Sequence, residues 1–537
     1  MKLKDIAATF SAQIPIIALD VLAPEELTIL TYLSEEFLEK LDAPTFFWNI
    51  GTSNLERVLI AEDGGIIFQI VPEFKQPANA DPLLFIFDFI ESYAEKAIFV
   101  IGDIHPFIGR GQQYSVEVAS KIKNLYHRLK HQGKRVVLLG NNIQLNESLI
   151  RLIPYCELPL PTVAQVLEHI NSYLGFIGES AAQNDIELVI ELSDVKMEEL
   201  ASSLLGLSLE EISDYLRLTT RQKRVAKKIR VNQEFISAAV EYKTRILAQM
   251  GIELGKPAEI EFGGLDLLRD WLQKRRRLFT QEARSLNLPR PKGVLLAGPP
   301  GTGKSLVAKN IAQILNLPLL QIDIASMLGS LVGESENNVR RALKTAEAIA
   351  PCVVWLDEVE KALSGSGDTS GVSQRILGSI LTFMSESRAG VFVVATANDV
   401  SQLPSELKRK GRFDENFYVA LPTETERAAI LVKHLARFGC SEINEEYIEA
   451  IAQNTDKFSG AELETLAAEA ALIAFEDGRP QQVSIADLEA ARVTITPLAI
   501  QDAARIEIME SWAKTARPAS SAMPAKTSTH RAARMRF

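Results

Sequence analysis

Between the apolar run GVLLA and the start of a helix stands the octet GPPGTGKS, Gly298 to Ser305, and no other segment restricts the fold so tightly. A glycine-rich turn that leaves a buried strand and opens a helix belongs in a parallel α/β sheet, where it can wrap a phosphate group at the strand's C-terminal end. At Gly298, Gly301 and Gly303 the backbone can turn where a Cβ would clash, so successive N–H groups face the anion at a helix N-terminus. Pro299, Pro300 and Thr302 complete the loop. Lys304 supplies a mobile cation for the β and γ phosphates, and the Ser305 hydroxyl can ligate Mg²⁺. By itself the octet admits ATP or GTP and any reaction at the phosphates.

Two further strands narrow the chemistry. CVVWLDEVE is an apolar strand ending in the adjacent acids Asp357 and Glu358. Strand C-termini in a parallel sheet face the ligand crevice, so both acids arrive beside the phosphates. Asp357 suits Mg²⁺ and its water shell, and Glu358 suits proton abstraction from an attacking water. VFVVATAND ends in Asn398, whose amide can orient that water or contact the γ-phosphate.

At this point the chain resembles a family. GPPGTGKS, GESENNVR at 333 to 340, WLDEVE, ATAND at 395 to 399, GRFD at 411 to 414 and SGAEL at 459 to 463 stand in the order and spacing of AAA ATPases, over roughly residues 259 to 495. The resemblance implies an α/β parallel-sheet P-loop core at 256–422, a helical lid at 423–512, and ATP with Mg²⁺ as cofactors. It makes Arg409 and Arg412 arginine fingers that reach a neighbouring subunit's ATP, which suits a guanidinium with its permanent charge and spread of donors. A homo-oligomeric ring, a hexamer, follows from that. Adenine contacts fall on Phe262 and Gly263 of EFGGL, on His434, and on Gly460 and Ala461. One departure concerns the pore. Where members that thread polypeptide carry an aromatic residue ahead of GES, this chain has Leu331 and Val332, which lack the broad ring that supplies contact area at low entropic cost.

The half that precedes this core carries no phosphate loop, yet its segments follow the same order. Strands are expected at PIIALD, TFFWNI, GIIFQI, AIFVIGD and KRVVLLGNN, separated by helix-like stretches, which is a parallel α/β pattern. AIFVIGDIH parallels CVVWLDEVE, KRVVLLGNN parallels VFVVATAND, and CELPLPTVAQVLEHI parallels FYVALPTETERAAIL. We read 1–175 as a degenerate AAA-like domain. In place of the phosphate loop it has LDVLAPEEL, whose Asp20, Glu25 and Glu26 repel phosphate, and Gly102 and Asp103 stand at the acid pair. The stretch from Asn142 to Thr162 is shorter than that from Asn398 to Thr423, and the missing length falls at KGRFD. This domain is therefore expected neither to bind ATP nor to donate arginines. Residues 176–255, including QKRVAKKIR, read as helical and lid-like. The segment 513–537 is basic, rich in small residues and without acids, a composition of disorder.

Across all 537 residues the net charge is −11, which argues against general nucleic-acid affinity. Three widely spaced cysteines supply neither a disulfide framework nor a zinc site and fit a reducing compartment. No apolar run reaches the length of a membrane span, since Asp88 interrupts LLFIFDFI. The N-terminal MKLKDIAATFSAQIPIIALD reads as a first buried strand rather than a signal peptide. The layout resembles the divergent AAA ATPases of algal chloroplast genomes and cyanobacteria, which implies cytoplasm or plastid stroma. The function expected is ATP hydrolysis in a ring that remodels or assembles an unidentified protein client. The alternative is a regulatory switch whose nucleotide state partners read without threading.

Overall fold

The computed structural model describes residues 3–521 apart from 53, 62–63, 110–113, 142, 184–185, 226, 256–263, 280–282, 284–285, 287, 325–333, 364–371, 387–389, 410 and 441–443. Phe262, Gly263, Leu331 and Val332 thus lie outside the described residues. The chain forms two compact units, Met1–Lys243 with Val332–Asn337, and Thr244–Leu331 with Asn338–Phe537.

The first unit is built on β1 (Ile16–Asp20), β2 (Thr45–Trp48), β3 (Glu56–Ile60), β4 (Ile66–Ile70), β5 (Ala97–Gly102), β6 (Lys134–Gly140) and β7 (Tyr155–Glu157). Their order is β4-β3-β2-β5-β6-β1-β7. From β2 to β7 every pair is parallel, and β3 and β4 extend one edge as an antiparallel pair. β1 and β5 are buried at every position, as strands covered on both faces must be. Alternate residues serve opposite cores: Ile16 and Ala18 pack with Phe99 and Leu138, whereas Ile17 and Leu19 pack with Val100 and Leu139. The five expected strands are all present. β3 was not expected, because Glu56 and Arg57 break its apolar run, and a helix, Ile6–Ser11, precedes β1.

A second, three-stranded sheet corrects the reading of 176–255 as helical. It contains β8 (Glu187–Ile190), β9 (Arg224–Val225) and β10 (Lys228–Val231) in the order β8-β10-β9. The helix before QKRVAKKIR ends at Gln222. In KIRV, Ile229 and Val231 are buried while Lys228 and Arg230 are exposed, a strand alternation masked by the charge. The boundary at 175 also falls inside a helix, Val163–Gln183.

In the second unit stand β11 (Ile252–Leu254), β12 (Gly293–Ala297), β13 (Leu319–Ile322), β14 (Cys352–Leu356), β15 (Val391–Ala397), β16 (Glu415–Tyr418) and β17 (Arg517–Pro518). The order is β11-β13-β14-β15-β12-β16-β17, and only β11 runs antiparallel to its neighbour. Helices Glu424–Arg437, Glu445–Asn454, Gly460–Glu476 and Ile485–Thr494 form the lid around Leu431, Leu435, Ile451, Leu463 and Leu488. Thr423, Ser459 and Ser484 each start a lid helix with a reciprocal capping box.

The two sheets share a plan. β2-β5-β6-β1-β7 and β13-β14-β15-β12-β16 hold their strands in the same sequence order and direction. The residue two past the end of β14, Glu358, has φ +46°, and Asp103, directly after β5, has φ +56°. Register refines the correspondence: Asp20 pairs with Gly140 as Ala297 pairs with Ala397, so Asn141 stands where Asn398 does.

Two expectations about the C-terminal region are overturned. Helix Ala503–Ala513 is not wholly a lid element, because Met509 is buried in the core of the large domain. The segment expected to be disordered from 513 supplies β17, the buried Ala519, and a Ser520 hydroxyl that donates to Glu426 at 2.8 Å. Edge pairing uses backbone groups, so a basic, small-residue composition does not preclude it. Residues 522–537 lie outside the described set.

Candidate functional site

The cleft of the second unit lies where β12, β14 and β15 end, beneath the lid. Its volume is about 390 Å³. Pro300, Gly301, Thr302, Gly303, Lys304 and Ser305 form one wall. Gly301 and Gly303 have φ +76° and +81°, and a Cβ on Gly298 would lie 2.1 Å from the Val419 carbonyl oxygen. Glycine is required at these positions by backbone strain and by close approach. Ser305 is exposed at the first turn of helix Lys304–Leu315.

Lys304 is 5% exposed. Its ammonium donates to the carbonyl oxygens of Gly298 at 2.9 Å and Pro299 at 2.7 Å. Burial pushes its pKa down to about 8, against the opposing pull of Glu360, Asp357 and Glu358. The cation is thus held inside its own loop, with desolvation favouring the neutral form.

Across the cleft the acids and the amide form a single network. Asn398 Nδ2 donates to Glu358 Oε1 at 2.7 Å. The Glu358 N–H donates to Thr396 Oγ1 at 3.0 Å, and that hydroxyl donates to Asp357 Oδ1. The Lys361 ammonium pairs with Glu358 Oε2. Asp357, Glu358 and Asn398 all line the cleft. Thr396, Glu360 and Lys361 were not anticipated. Thr396 lies on β15 two positions before Asn398, which directly follows the strand, and that period-two spacing is the signal that could have found it.

The lid closes the other side with His434, Gly460 and Ala461. The Ala461 N–H donates to the Gly301 carbonyl oxygen at 3.0 Å, joining the lid helix to the phosphate loop. His434 Nδ1 is buried with no hydrogen-bond partner among the described residues. Burial holds its imidazole below the ordinary pKa although Glu464 pulls the other way. Arg409 and Arg412 do not line this cleft: Arg409 is exposed, and Arg412 donates to the Leu381 carbonyl oxygen at 3.0 Å and to Ser385 Oγ.

Comparison with known proteins decides the family. Residues 294–421 match "ATPase family associated with various cellular activities (AAA)", residues 3–158 match "SpoVK-like AAA ATPase, N-terminal domain", and residues 445–490 match "AAA+ lid domain". A relative in Pyropia yezoensis, "Uncharacterized AAA domain-containing protein ycf46", is 34% identical over 81% of this chain and 85% of its own length. The chain belongs to the AAA ATPase family. A protein of the same name in Guillardia theta is 34% identical over 79% of this chain and 81% of its own length. The "Cell division cycle protein 48 homolog" of Archaeoglobus fulgidus is 26% identical over 76% of this chain and 56% of its own length. Among solved structures, the FIGL-1 AAA domain is 25% identical over 51% of this chain and 94% of its own, with a TM-score of 0.43. An AAA ATPase binds nucleotide through its P-loop, and this one pairs that loop with a lid. Among the described residues no helix is long and apolar enough to cross a membrane.

Proposed function

We propose that this chain hydrolyses ATP to ADP and phosphate at sites shared between neighbouring copies in a ring, and couples turnover to remodelling or assembly of a partner protein. The observation that carries the reading is the contact of Asn398 with Glu358 at 2.7 Å beside the phosphate loop. It supplies an oriented carboxylate at the edge of a phosphate cradle, which is what in-line attack by water needs.

Each residue then has a task. Backbone N–H groups at the start of helix Lys304–Leu315 hold the phosphates, and Lys304 exchanges its loop carbonyls for phosphate oxygens. Asn398 orients the attacking water and Glu358 accepts its proton. Arg409 and Arg412, which do not line their own cleft, stabilise charge on a neighbour's transferring phosphoryl group. His434, with Gly460 and Ala461, contacts the base, and Phe262 and Gly263 are assigned to the same subsite by family resemblance.

Ser305 and Asp357, which both line the cleft, would hold Mg²⁺, since two protein oxygens suit an ion that keeps most of its ligands from phosphate and water. Its chemistry would be to neutralise charge on the phosphate oxygens. Client remodelling is supported by the likeness to the cell division cycle protein 48 homolog and to an "ATP-dependent zinc metalloprotease FtsH", 38% identical over 38% of this chain. The cytoplasm or plastid stroma is the proposed location.

The deciding experiment is Glu358→Gln. ATP binding should persist while hydrolysis falls by about two orders of magnitude or more; undiminished turnover removes Glu358 from the role of base. The same trapped ring, used to capture bound proteins, separates client engagement from a switch that holds none.

A further inference from the structure

Glu358 is held at both carboxylate oxygens, but the two holds differ in kind. Lys361, on Oε2, is an exposed side chain with its ammonium in solvent, free to leave at little cost. Asn398, on Oε1, is fixed from behind. Its backbone N–H donates to Glu360 Oε1 at 2.9 Å. Glu360 is 2% exposed, and its second oxygen has no hydrogen-bond partner among the described residues.

A buried carboxylate with one oxygen lacking a partner is costly to maintain, so its contact with Asn398 calls for an explanation. Burial raises its pKa, and the Asn398 N–H together with the nearby Lys304 ammonium opposes that rise. The contact bridges two elements: Glu360 lies on the short helix Val359–Leu363 after β14, and Asn398 directly follows β15. Glu358 and Glu360 are therefore coupled through one residue just past the end of the neighbouring strand. Glu360 grips its backbone and Glu358 receives its side chain.

We infer that Glu360 is a positioning residue for hydrolysis, which fixes the Asn398 backbone so that the Asn398 amide holds the Glu358 carboxylate in line with the attacking water. Glu360 does not line the cleft and acts only through Asn398. What it must supply is an acceptor oxygen, not a negative charge. This rests on the assignment of Glu358 as the base.

The test is a double-mutant cycle on the full chain, read by steady-state ATP hydrolysis, by binding of a fluorescent ATP analogue and by thermal unfolding. Glu360→Ala should lower kcat about tenfold or more, the scale expected when a reacting group is misplaced by an ångström, while KM for ATP and analogue affinity stay within about twofold. Glu360→Gln keeps the acceptor and should return kcat to within a few-fold of the parent. In an Asn398→Ala background, Glu360→Ala should lower kcat no further. Additive losses in the cycle, or a Gln variant as impaired as the Ala variant, would overturn the inference. So would a loss of kcat and of analogue affinity together with a fall in melting temperature, which marks a merely structural role. If Glu360→Ala does not fold, the Gln variant in both Asn398 backgrounds still decides: a large loss with Asn398 intact argues against the acceptor role. Glu358→Gln, run alongside, separates the two readings. Persistent turnover there removes Glu358 from the role of base, whereas lost turnover with an additive cycle sinks only the role of Glu360.

Discussion

Lys304 illustrates how one residue can be tuned by the packing of its own loop. Its pKa of about 8 against an ordinary 10.5 means that the folded chain disfavours the charged form. The unfolded chain binds more protons between those values, so this group's contribution makes folding stability rise with pH from about 8 towards 10.5, and its penalty is full below that window. Phosphate oxygens reverse the effect by stabilising the ammonium. ATP binding near pH 9 should take up close to one proton per site, measured as a calorimetric heat that varies with the ionisation enthalpy of the buffer. Lys304→Met should abolish that uptake together with tight binding, and should raise the melting temperature of the nucleotide-free protein at neutral pH. An uptake unchanged by the substitution would show that another group titrates. The lysine itself is legible in GPPGTGKS, as are Asp357, Glu358 and Asn398 in their strand ends. Its withdrawal onto the Gly298 and Pro299 carbonyls is not, because burial is a property of the packed loop.

At the scale of elements, the first unit answers what replaces a nucleotide when the phosphate loop is lost. In the second unit the lid helix opens at Ser459, and the N–H of its second residue, Ala461, donates to Gly301. In the first unit the helix Leu209–Gln222 opens at Ser208 with the same capping box, and the N–H of its second residue, Glu210, donates to Glu25 Oε1 at 3.2 Å. Thr28 adds a hydroxyl contact to Glu210 at 2.6 Å. A carboxylate of the chain itself thus sits at the helix N-terminus, where the macrodipole favours negative charge. Burial nevertheless raises the Glu25 pKa, so the folded state holds its proton more tightly, and this group's contribution to stability is lost as pH rises through that raised value. Glu25→Gln keeps an acceptor without the buried charge. It should strengthen hydrogen-exchange protection of Leu209–Gln222 at neutral pH, with the gain vanishing in acid. Glu25→Ala should weaken protection by about 1 kcal/mol, the net worth of a hydrogen bond. Equal protection in all three proteins would mean that the contact does not hold the helix. LDVLAPEEL announced acids hostile to phosphate; that one of them caps a helix far along the chain is a long-range contact no local pattern encodes.

For the whole molecule, the shared-site proposal predicts rescue by mixing. A subunit carrying Arg409→Ala and Arg412→Ala retains a cleft without fingers, and a Lys304→Ala subunit retains fingers without a working cleft. Each alone should be inactive, whereas co-assembled mixtures should regain a measurable fraction of ATPase activity at interfaces that pair an intact cleft with intact arginines. Mixtures that stay inactive at every ratio would refute fingers acting in trans. What the sequence determined by itself was the α/β plan of both units, the family and the residues that line the candidate cleft at the strand ends, because buried parallel strands are continuous apolar runs and a phosphate loop needs particular residues at fixed spacing. Tertiary structure alone decided the rest. The sheet β8-β10-β9 hides its alternation under lysine and arginine, β17 joins an edge through backbone bonds that carry no side-chain signature, and Glu360 and Thr396 acquire their roles only when β14 and β15 lie side by side. Patterns along a chain report which residues avoid water. Which of them meet depends on strand order and register, and those are settled only by packing.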